Sequence, residues 1–297
     1  MRGKALCGAV FSASLLLAGW LPAGIAGAES TGLPSLGLAN LGLGGSSTQQ
    51  ETGGSVGGGG SVEVGGGLDL GLPSGTLPSL LPQPEVHQPF FVGYPDGKFY
   101  PTRPFTRAEA ATVVTKVKNL KFDSDLEKPY TDVPKTHWAY KYITSVTKAG
   151  YMRGYGDGTF HPDEPITRAE MVALVMAIRM IQPIPGLEGF SDTSQHWAGD
   201  LIATARSLGM VSGVGNNQFK PDDATERQVA AMMFCVAFQR GPLKDGDAQV
   251  KQHFPDVKRD DWSFAWVEET AVEAHESIRS GLEEKLIRYR PDLTQKW

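Results

Sequence analysis

Apolar residues recur with a helical period through the last two thirds of the chain. Met171, Leu174, Val175 and Ile178 fall at i, i+3, i+4 and i+7, a stripe that one face of a helix buries. The residues just ahead of it supply the helix start. Thr167-Arg168-Ala169-Glu170 is a capping box, in which the threonine hydroxyl and the glutamate carboxylate each take a free backbone N–H of the first turn. Ile166 and Met171 flank the box as a hydrophobic staple, and Pro165 breaks the chain before it. The same opening stands at Thr106-Arg107-Ala108-Glu109. A second helical pattern has Trp138, Tyr142, Val146 and Ala149 at steps of 4, 4 and 3 residues, matched by Trp197, Leu201, Ala205 and Leu208. Gly150 and Gly209 end these helices as left-handed residues. On this spacing Trp138, Trp197 and Trp262 are read first as core anchors.

These patterns repeat. "GYPDGKFYPTRPFTRAEAATVV" at 93–114 returns as "GYGDGTFHPDEPITRAEMVALV" at 154–175, and more loosely as "GVGNNQFKPDDATERQVAAMM" at 213–233. A second unit, "YTDVPKTHWAYKYITSVTKAG" from 130, returns as "FSDTSQHWAGDLIATARSLG" from 190 and as "FPDVKRDDWSFAWVEETAVEA" from 254. Trp138 and Trp197 are 59 residues apart, and Thr106 and Thr167 are 61 apart, so one unit of about sixty residues builds the folded region. Four pieces result: a second half repeat at 89–129, full repeats at 130–188 and 189–253, and a first half at 254–297. The last half continues to "YRPDLT", similar to "FHPDEPIT", and half, whole, whole and half make three if the two ends meet.

The first 88 residues are of another character. Arg2 and Lys4 precede an apolar run from Ala5 to Leu21, Pro22 and the small residues Ala26-Gly27-Ala28, the layout of a secretory signal peptide over 1–28. The run is short for a retained anchor and lacks a basic stop-transfer flank, so no membrane span is expected in the mature chain. From 29 to 88 there is no Phe, Trp, Tyr, Lys or Arg, and "GGSVGGGGSVEVGGG" is of low complexity. Such a stretch buries too little apolar area to offset its ordering entropy, and is read as a disordered tail. When the signal leaves, the 28 Lys and Arg fall to 26 against 33 Asp and Glu, and the formal charge moves from -5 to -7. That balance argues against nucleic acid as a partner. Of two cysteines only Cys235 remains, in the apolar "MMFCVAF", so it is read as a buried helix residue and no disulfide or cysteine metal site is expected. His137 and His196 lack a second ligand at metal spacing, Asp157-Gly158 lacks the acidic alternation of a calcium loop, and no metal or cofactor is expected.

The combination of an aromatic-x-Asp-Val start, His-Trp-Ala, Gly-Tyr-x-Asp-Gly-x-Phe-x-Pro and Ile-Thr-Arg-Ala-Glu resembles the S-layer homology domain, over residues 89 to 297. The resemblance implies a mainly α fold: a pseudo-threefold spindle of three repeats, one helix of each entering a central bundle. It also implies grooves between repeats that bind an anionic, often pyruvylated, secondary polymer attached to peptidoglycan. The expected function is therefore noncovalent attachment to the cell wall by a secreted, surface-located protein. No Ser/His/Asp or paired-carboxylate arrangement stands outside the repeats, so an enzyme is not expected. The alternative is a degenerate module that assembles with other envelope proteins and binds no glycan.

One residue type resists a purely structural reading. Thr167 and Glu170 are accounted for by capping, but Arg107 and Arg168 put a cation in the first helical turn, unfavourable by ~0.3–1 kcal/mol when exposed. Each needs a compensating anion, either an internal carboxylate such as Asp132 or Asp192, or an external ligand held by the guanidinium and the helix N–H groups. The residues leave these two open; the resemblance implies the external anion. The candidate ligand-binding set is Arg107 and Arg168, with Gly93, Gly154, Tyr94 and Tyr155 of the turn carried over from the family's groove. It is completed by Asp132, Asp192 and Asp256 of the aromatic-x-Asp starts, and by the three tryptophans.

The third helix start is shifted. From Phe to Thr is seven residues at Phe99 to Thr106 and Phe160 to Thr167 but six at Phe219 to Thr225. Anchored on the cap, Thr225 and Gln228 form the box, Glu226 takes the position of Arg107 and Arg168, and that groove is expected to have lost its anion. The ungapped register would instead put Arg227 in place.

Overall fold

The computed structural model describes residues 82–122 and 130–296. The signal peptide read over 1–28 and most of the tail read over 29–88 lie outside the described residues. Within them the elements are β1 (Glu85–His87), α1 (Arg107–Val117), α2 (Tyr140–Lys148), α3 (Arg168–Ile178), α4 (Gly199–Ser207), α5 (Arg227–Ala237), β2 (Leu243–Lys244), α6 (Phe264–Thr270), β3 (His275–Ser280) and β4 (Glu283–Tyr289). A 3-10 turn at Pro291–Leu293 ends the described chain. Helix α1 packs on α2, α3 on α4, and α5 on both α3 and α6.

The caps and core stripes form as the sequence dictates. Both halves of the Thr106/Glu109 and Thr167/Glu170 boxes are made, Ile166 and Met171 are buried beside the second, and Leu174, Val175 and Ile178 lie in the core. Gly150 and Gly209 follow α2 and α4 with φ of 80° and 64°. Cys235 is fully buried on α5.

The three long helices begin at a closed ring of backbone bonds. Phe105 N–H donates to Thr225, Thr225 N–H to Ile166, and Ile166 N–H to Phe105, at 2.8, 2.9 and 2.8 Å. A second ring takes the first free N–H of each helix: Arg107 to Glu164, Arg168 to Asp223 and Arg227 to Arg103, at 3.0, 2.9 and 2.9 Å. The next N–H of each is taken by a proline carbonyl, Ala108 by Pro162, Ala169 by Pro221 and Gln228 by Pro101. The N-terminal groups that a helix otherwise leaves unsatisfied are thus donated to the loop before the neighbouring helix.

These rings correct the gapped register. Helix α5 begins at Arg227, with Glu226 as a cap residue that makes no side-chain capping bond and accepts instead from Gln228 Nε2 at 2.7 Å, and Thr225 Oγ1 is buried without a partner. From Phe219 to Glu226 is seven residues, as in the other copies. The backbone ring fixes the register here and overrides the local capping preference of Thr225 for Gln228.

The inward face of the short helices keeps the expected Val146 and Ala205 but is one residue away from expectation in the first turn. Ala139, Ile143 and Val146, and Ala198, Ile202 and Ala205, are the buried positions, whereas Trp138 and Trp197 are 57% and 41% exposed and Trp262 is 39% exposed. The tryptophans precede the first helical residue, so the helical period does not govern where they point.

The two ends of the described chain meet. The N–H groups of Phe90 and Phe91 both donate to Thr270 O at 2.9 Å, and α6 packs on α5. Beyond α6 the expected resemblance of the last segment to "FHPDEPIT" fails. Residues 275–289 form an antiparallel hairpin turned at Gly281, φ 62°, with β1 antiparallel on β3 and β2 parallel on β4, in the order β1-β3-β4-β2. Ser277, Glu284 and Leu286 point inward from it, a period-two pattern that the repeat alignment hid. The tail boundary shifts too, since Glu85, Val86 and His87, placed in the tail, are this sheet's edge strand.

Candidate functional site

Each long helix carries an arginine at its first residue, and each arginine reaches into the loop that leads to a neighbouring helix. Arg107 donates from Nε to Phe160 O at 2.8 Å and from Nη2 to Arg153 O at 2.9 Å. Arg168 does the same to Phe219 O and Ser212 O, at 2.8 and 3.4 Å. Arg227 does it to Phe99 O and Val92 O, both at 3.0 Å. Each guanidinium also lies over the loop's phenylalanine, Phe160, Phe219 or Phe99, at 4.7, 4.4 and 4.6 Å. These carbonyls offset the cost of a cation near a helix N-terminus. Because the first N–H groups of each helix are already donated, the guanidinium alone is left to meet an external anion.

The loops are held from the other side by aspartates. Asp132 accepts the consecutive N–H groups of Phe160 and His161 at 2.9 and 2.7 Å. Asp192 accepts those of Phe219 and Lys220 at 2.9 and 2.7 Å, and Asp256 those of Phe99 and Tyr100 at 2.9 and 2.8 Å. His161, Lys220 and Tyr100 all have left-handed φ, 56°, 55° and 56°, the conformation that turns two successive N–H groups toward one carboxylate. Burial opposes ionisation of Asp192, but those two N–H groups, its own N–H and the Arg168 charge together outweigh it and hold its pKa below the usual carboxylate value.

The glycines of the turn make room for protein. A Cβ on Gly154 would overlap the Tyr130 ring and Thr159 O, and one on Gly93 would meet the Phe254 ring. Gly213 faces the Phe190 ring in the same way, so in each copy the glycine receives the aromatic that opens an aromatic-x-Asp start. His137 and His196 accept Ala139 and Ala198 N–H on Nδ1, each at 3.1 Å, which fixes the turn before α2 and α4.

The three arginines are unequal. Arg107 has Glu170 at 3.1 Å and stands over the Tyr155 ring at 4.9 Å, while Tyr155 donates its hydroxyl to the same carboxylate at 2.8 Å. Burial raises the Tyr155 pKa to about 12. Arg227 has Glu109 at 3.6 Å and Tyr94 at 5.0 Å, with Tyr94 donating to Glu109 at 3.2 Å. Burial lowers the Arg227 pKa to about 10, which leaves it charged at neutral pH. At Arg168 both partners are replaced: Val214 stands where the loop carries Tyr94 and Tyr155, and Val229 where the helix carries Glu109 and Glu170. Among the described residues no carboxylate is in ion-pair contact with Arg168, and only Asp223, Glu226 and Asp192 act on it from further away. Arg107 and Arg227 are 5% and 4% exposed, whereas Arg168 is half-buried.

The structure thus brings each arginine together with a turn and an aspartate, and leaves the tryptophans on the surface. Sequence reasoning set Arg227 aside in favour of the gapped register, and it missed that Val214 and Val229 leave Arg168, and not the third helix start, without its partners. The equal seven-residue spacing from Phe219 to Glu226 was the signal for Arg227 and Val229.

The S-layer homology domain matches this chain at residues 90–111, 129–172 and 189–228, the segments that hold these turns and helix starts. The chain carries S-layer homology domains. It is similar to cell surface glycoprotein 1 of Acetivibrio thermocellus, 34% identical over 221 residues, 69% of this chain and 9% of that protein. It is similar to the cellulosome-anchoring protein of the same organism, 30% identical over 196 residues, 63% of this chain and 42% of that protein. An S-layer protein of Bacillus licheniformis is 32% identical over 163 residues, 54% of this chain and 18% of that protein. The chain therefore spans less than half of these relatives. Among the described residues no helix is long and apolar enough to cross a membrane.

Proposed function

We propose that this chain is a noncovalent wall anchor that holds an anionic secondary polysaccharide, a pyruvylated one fitting the chemistry well, at the groove of Arg168. The observation that carries this reading is the half-buried guanidinium of Arg168, which has neither the carboxylate nor the tyrosine that its two counterparts have. A guanidinium already fixed by Phe219 O is a preorganised donor for a sugar carboxylate or a phosphate. The S-layer homology domain and the cell-surface and S-layer names of the relatives give the chain a location at the cell wall and cell surface. We read the folded region as the three-repeat spindle of that domain, with the repeat limits given above except that β1 and the terminal hairpin stand outside the repeats; the two rings of backbone bonds and the three aspartate clamps support this. Arg107, Gly93, Gly154, Tyr94, Tyr155, Asp132, Asp192 and Asp256 shape the grooves, and the exposed Trp138, Trp197 and Trp262 offer ring faces to a glycan. We read the chain as a binding module and not an enzyme.

A second reading, assembly with other envelope proteins, draws on the same exposed tryptophans, a residue type enriched where proteins meet. Cosedimentation separates the two. Purified walls should retain the protein, and walls stripped of their secondary polymer should not; equal retention by both would favour assembly.

A further inference from the structure

Three side chains, one from the start of the described chain and two from near its end, converge at the sheet that joins the two ends. His87, the last residue of β1, donates from Nδ1 to Glu269 Oε1 at 2.6 Å, across 182 residues of sequence. His275, the first residue of β3, donates from Nε2 to Glu269 Oε2 at 3.0 Å. One ligand atom from each lies within 4.8 Å of the other two, and the residues are 6%, 1% and 0% exposed for His87, His275 and Glu269.

We infer that His87, Glu269 and His275 form a binding site for a divalent transition metal ion of the zinc type. Two imidazoles and one carboxylate are a donor set that such an ion takes, with a fourth position left to water. Ligands at about 2.0–2.2 Å from a tetrahedral ion stand about 3.3 Å apart, so the 2.6 Å contact of His87 Nδ1 with Glu269 Oε1 needs to widen by less than about 1 Å. On loading, His87 Nδ1 and His275 Nε2 turn their lone pairs to the ion, and each imidazole keeps its proton on the other ring nitrogen. The route for ion and water is a cleft of about 960 Å3 whose wall includes His87, Ser277 and Glu284.

The surroundings bear on the charge. Arg240 Nη1 lies 3.7 Å from Glu269 Oε1 and opposes a cation, but it is held by Gln88 O at 2.9 Å and lies over the Phe90 ring, so it acts from outside the ligand set. Ser277 Oγ stands 3.5 Å from His87 Nδ1 and donates to the buried Glu284, which Arg279 pairs. A buried carboxylate with two imidazoles against it is often no more stable than apolar residues of similar volume. An ion joining β1, α6 and β3 would fasten the segment before the first repeat to the last helix and the hairpin.

The test uses the full chain, purified without a metal-affinity step, stripped with EDTA and dialysed, then titrated with Zn2+ against a chromophoric chelator. One equivalent should bind, with affinity at least about tenfold lower in His87→Gln and His275→Gln. His253→Gln, which alters the neighbouring cluster of Glu268 and Glu273, should bind as the parent does. Thermal melts should show a zinc-dependent rise in Tm for the parent that is absent in His87→Gln; circular dichroism of the stripped variants reports whether they fold. Uptake well below one equivalent, or equal uptake and Tm rise in a folded His87→Gln, would overturn the inference. The wall polymer takes no part, so this result is independent of the wall-binding reading.

Discussion

Arg107 Nη1 stands 3.1 Å from Glu170 Oε1, so the first residue of one long helix is paired with the third residue of the next. The pair is largely removed from water, and Glu170 also caps its own helix and accepts from Tyr155. Replacing Arg107 by Ala leaves that carboxylate and two loop carbonyls without their donor. The expected loss of stability is about 3–5 kcal/mol in urea unfolding, the range for breaking a buried pair. Arg227→Ala should cost a similar amount, since Arg227 binds Glu109, Phe99 and Val92 in the same pattern. A change within about 0.5 kcal/mol at either site would show that these contacts do not hold the loops.

Val229 takes the position that Glu109 and Glu170 occupy. Val229→Glu should place a carboxylate near Arg168 and at the third residue of α5, where the helix dipole favours it. Wall binding is expected to weaken about tenfold with stability unchanged or slightly higher. Undiminished cosedimentation by a variant that melts normally would mean that Arg168 does not need to be free of an internal anion.

The acid limb of stability should depend on Asp192. Its folded pKa is held down by two N–H groups, so the unfolded chain takes up a proton before the folded one does. The sign follows: the contribution is present above the unfolded carboxylate value of about 3.9 and is lost as pH falls through the folded value. Asp192→Asn should be less stable than the parent at pH 6, and the difference should shrink below about pH 4. A gap that stays constant from pH 6 to acid would remove the carboxylate from the account.

Asp256 and α6 close the module from its far end, through Phe99, Tyr100 and α5. Deleting 254–297 also removes Thr270 O, which both Phe90 and Phe91 use, and uncovers the aromatic cluster of Phe90, Phe91 and Phe234. The remainder should lose its cooperative melt, as scanning calorimetry would read directly. An unchanged transition would show the halves to be independent.

Much of this fold was legible from residue order. Thr106, Glu109, Thr167 and Glu170 cap as their spacing dictates, and Gly150 and Gly209 take left-handed φ, because both effects act within a few residues. What escaped was set over longer distances. Thr225 and Gln228 are a good local box, yet the backbone ring between Phe105, Ile166 and Thr225 decides where α5 begins. Trp138 fits a helical stripe in sequence but lies before the first helical residue, so Ala139 takes the inward position. The terminal hairpin was masked by the likeness of "YRPDLT" to a loop, although Glu284 and Leu286 alternate with outward residues as a strand requires. Arg168 was found in the sequence for a sound reason, the need for an anion; that its counterparts had satisfied the same need within the protein was visible only in three dimensions.

The central claim is that an anion outside the protein meets Arg168. Its most direct test is titration of the released, purified wall polymer into the parent and into Arg168→Gln, at low and at raised salt. The account predicts binding by the parent that weakens as salt screens the contact, and an affinity about tenfold to a hundredfold lower in a normally folded Arg168→Gln. Equal affinity for parent and variant, with no dependence on salt, would contradict it.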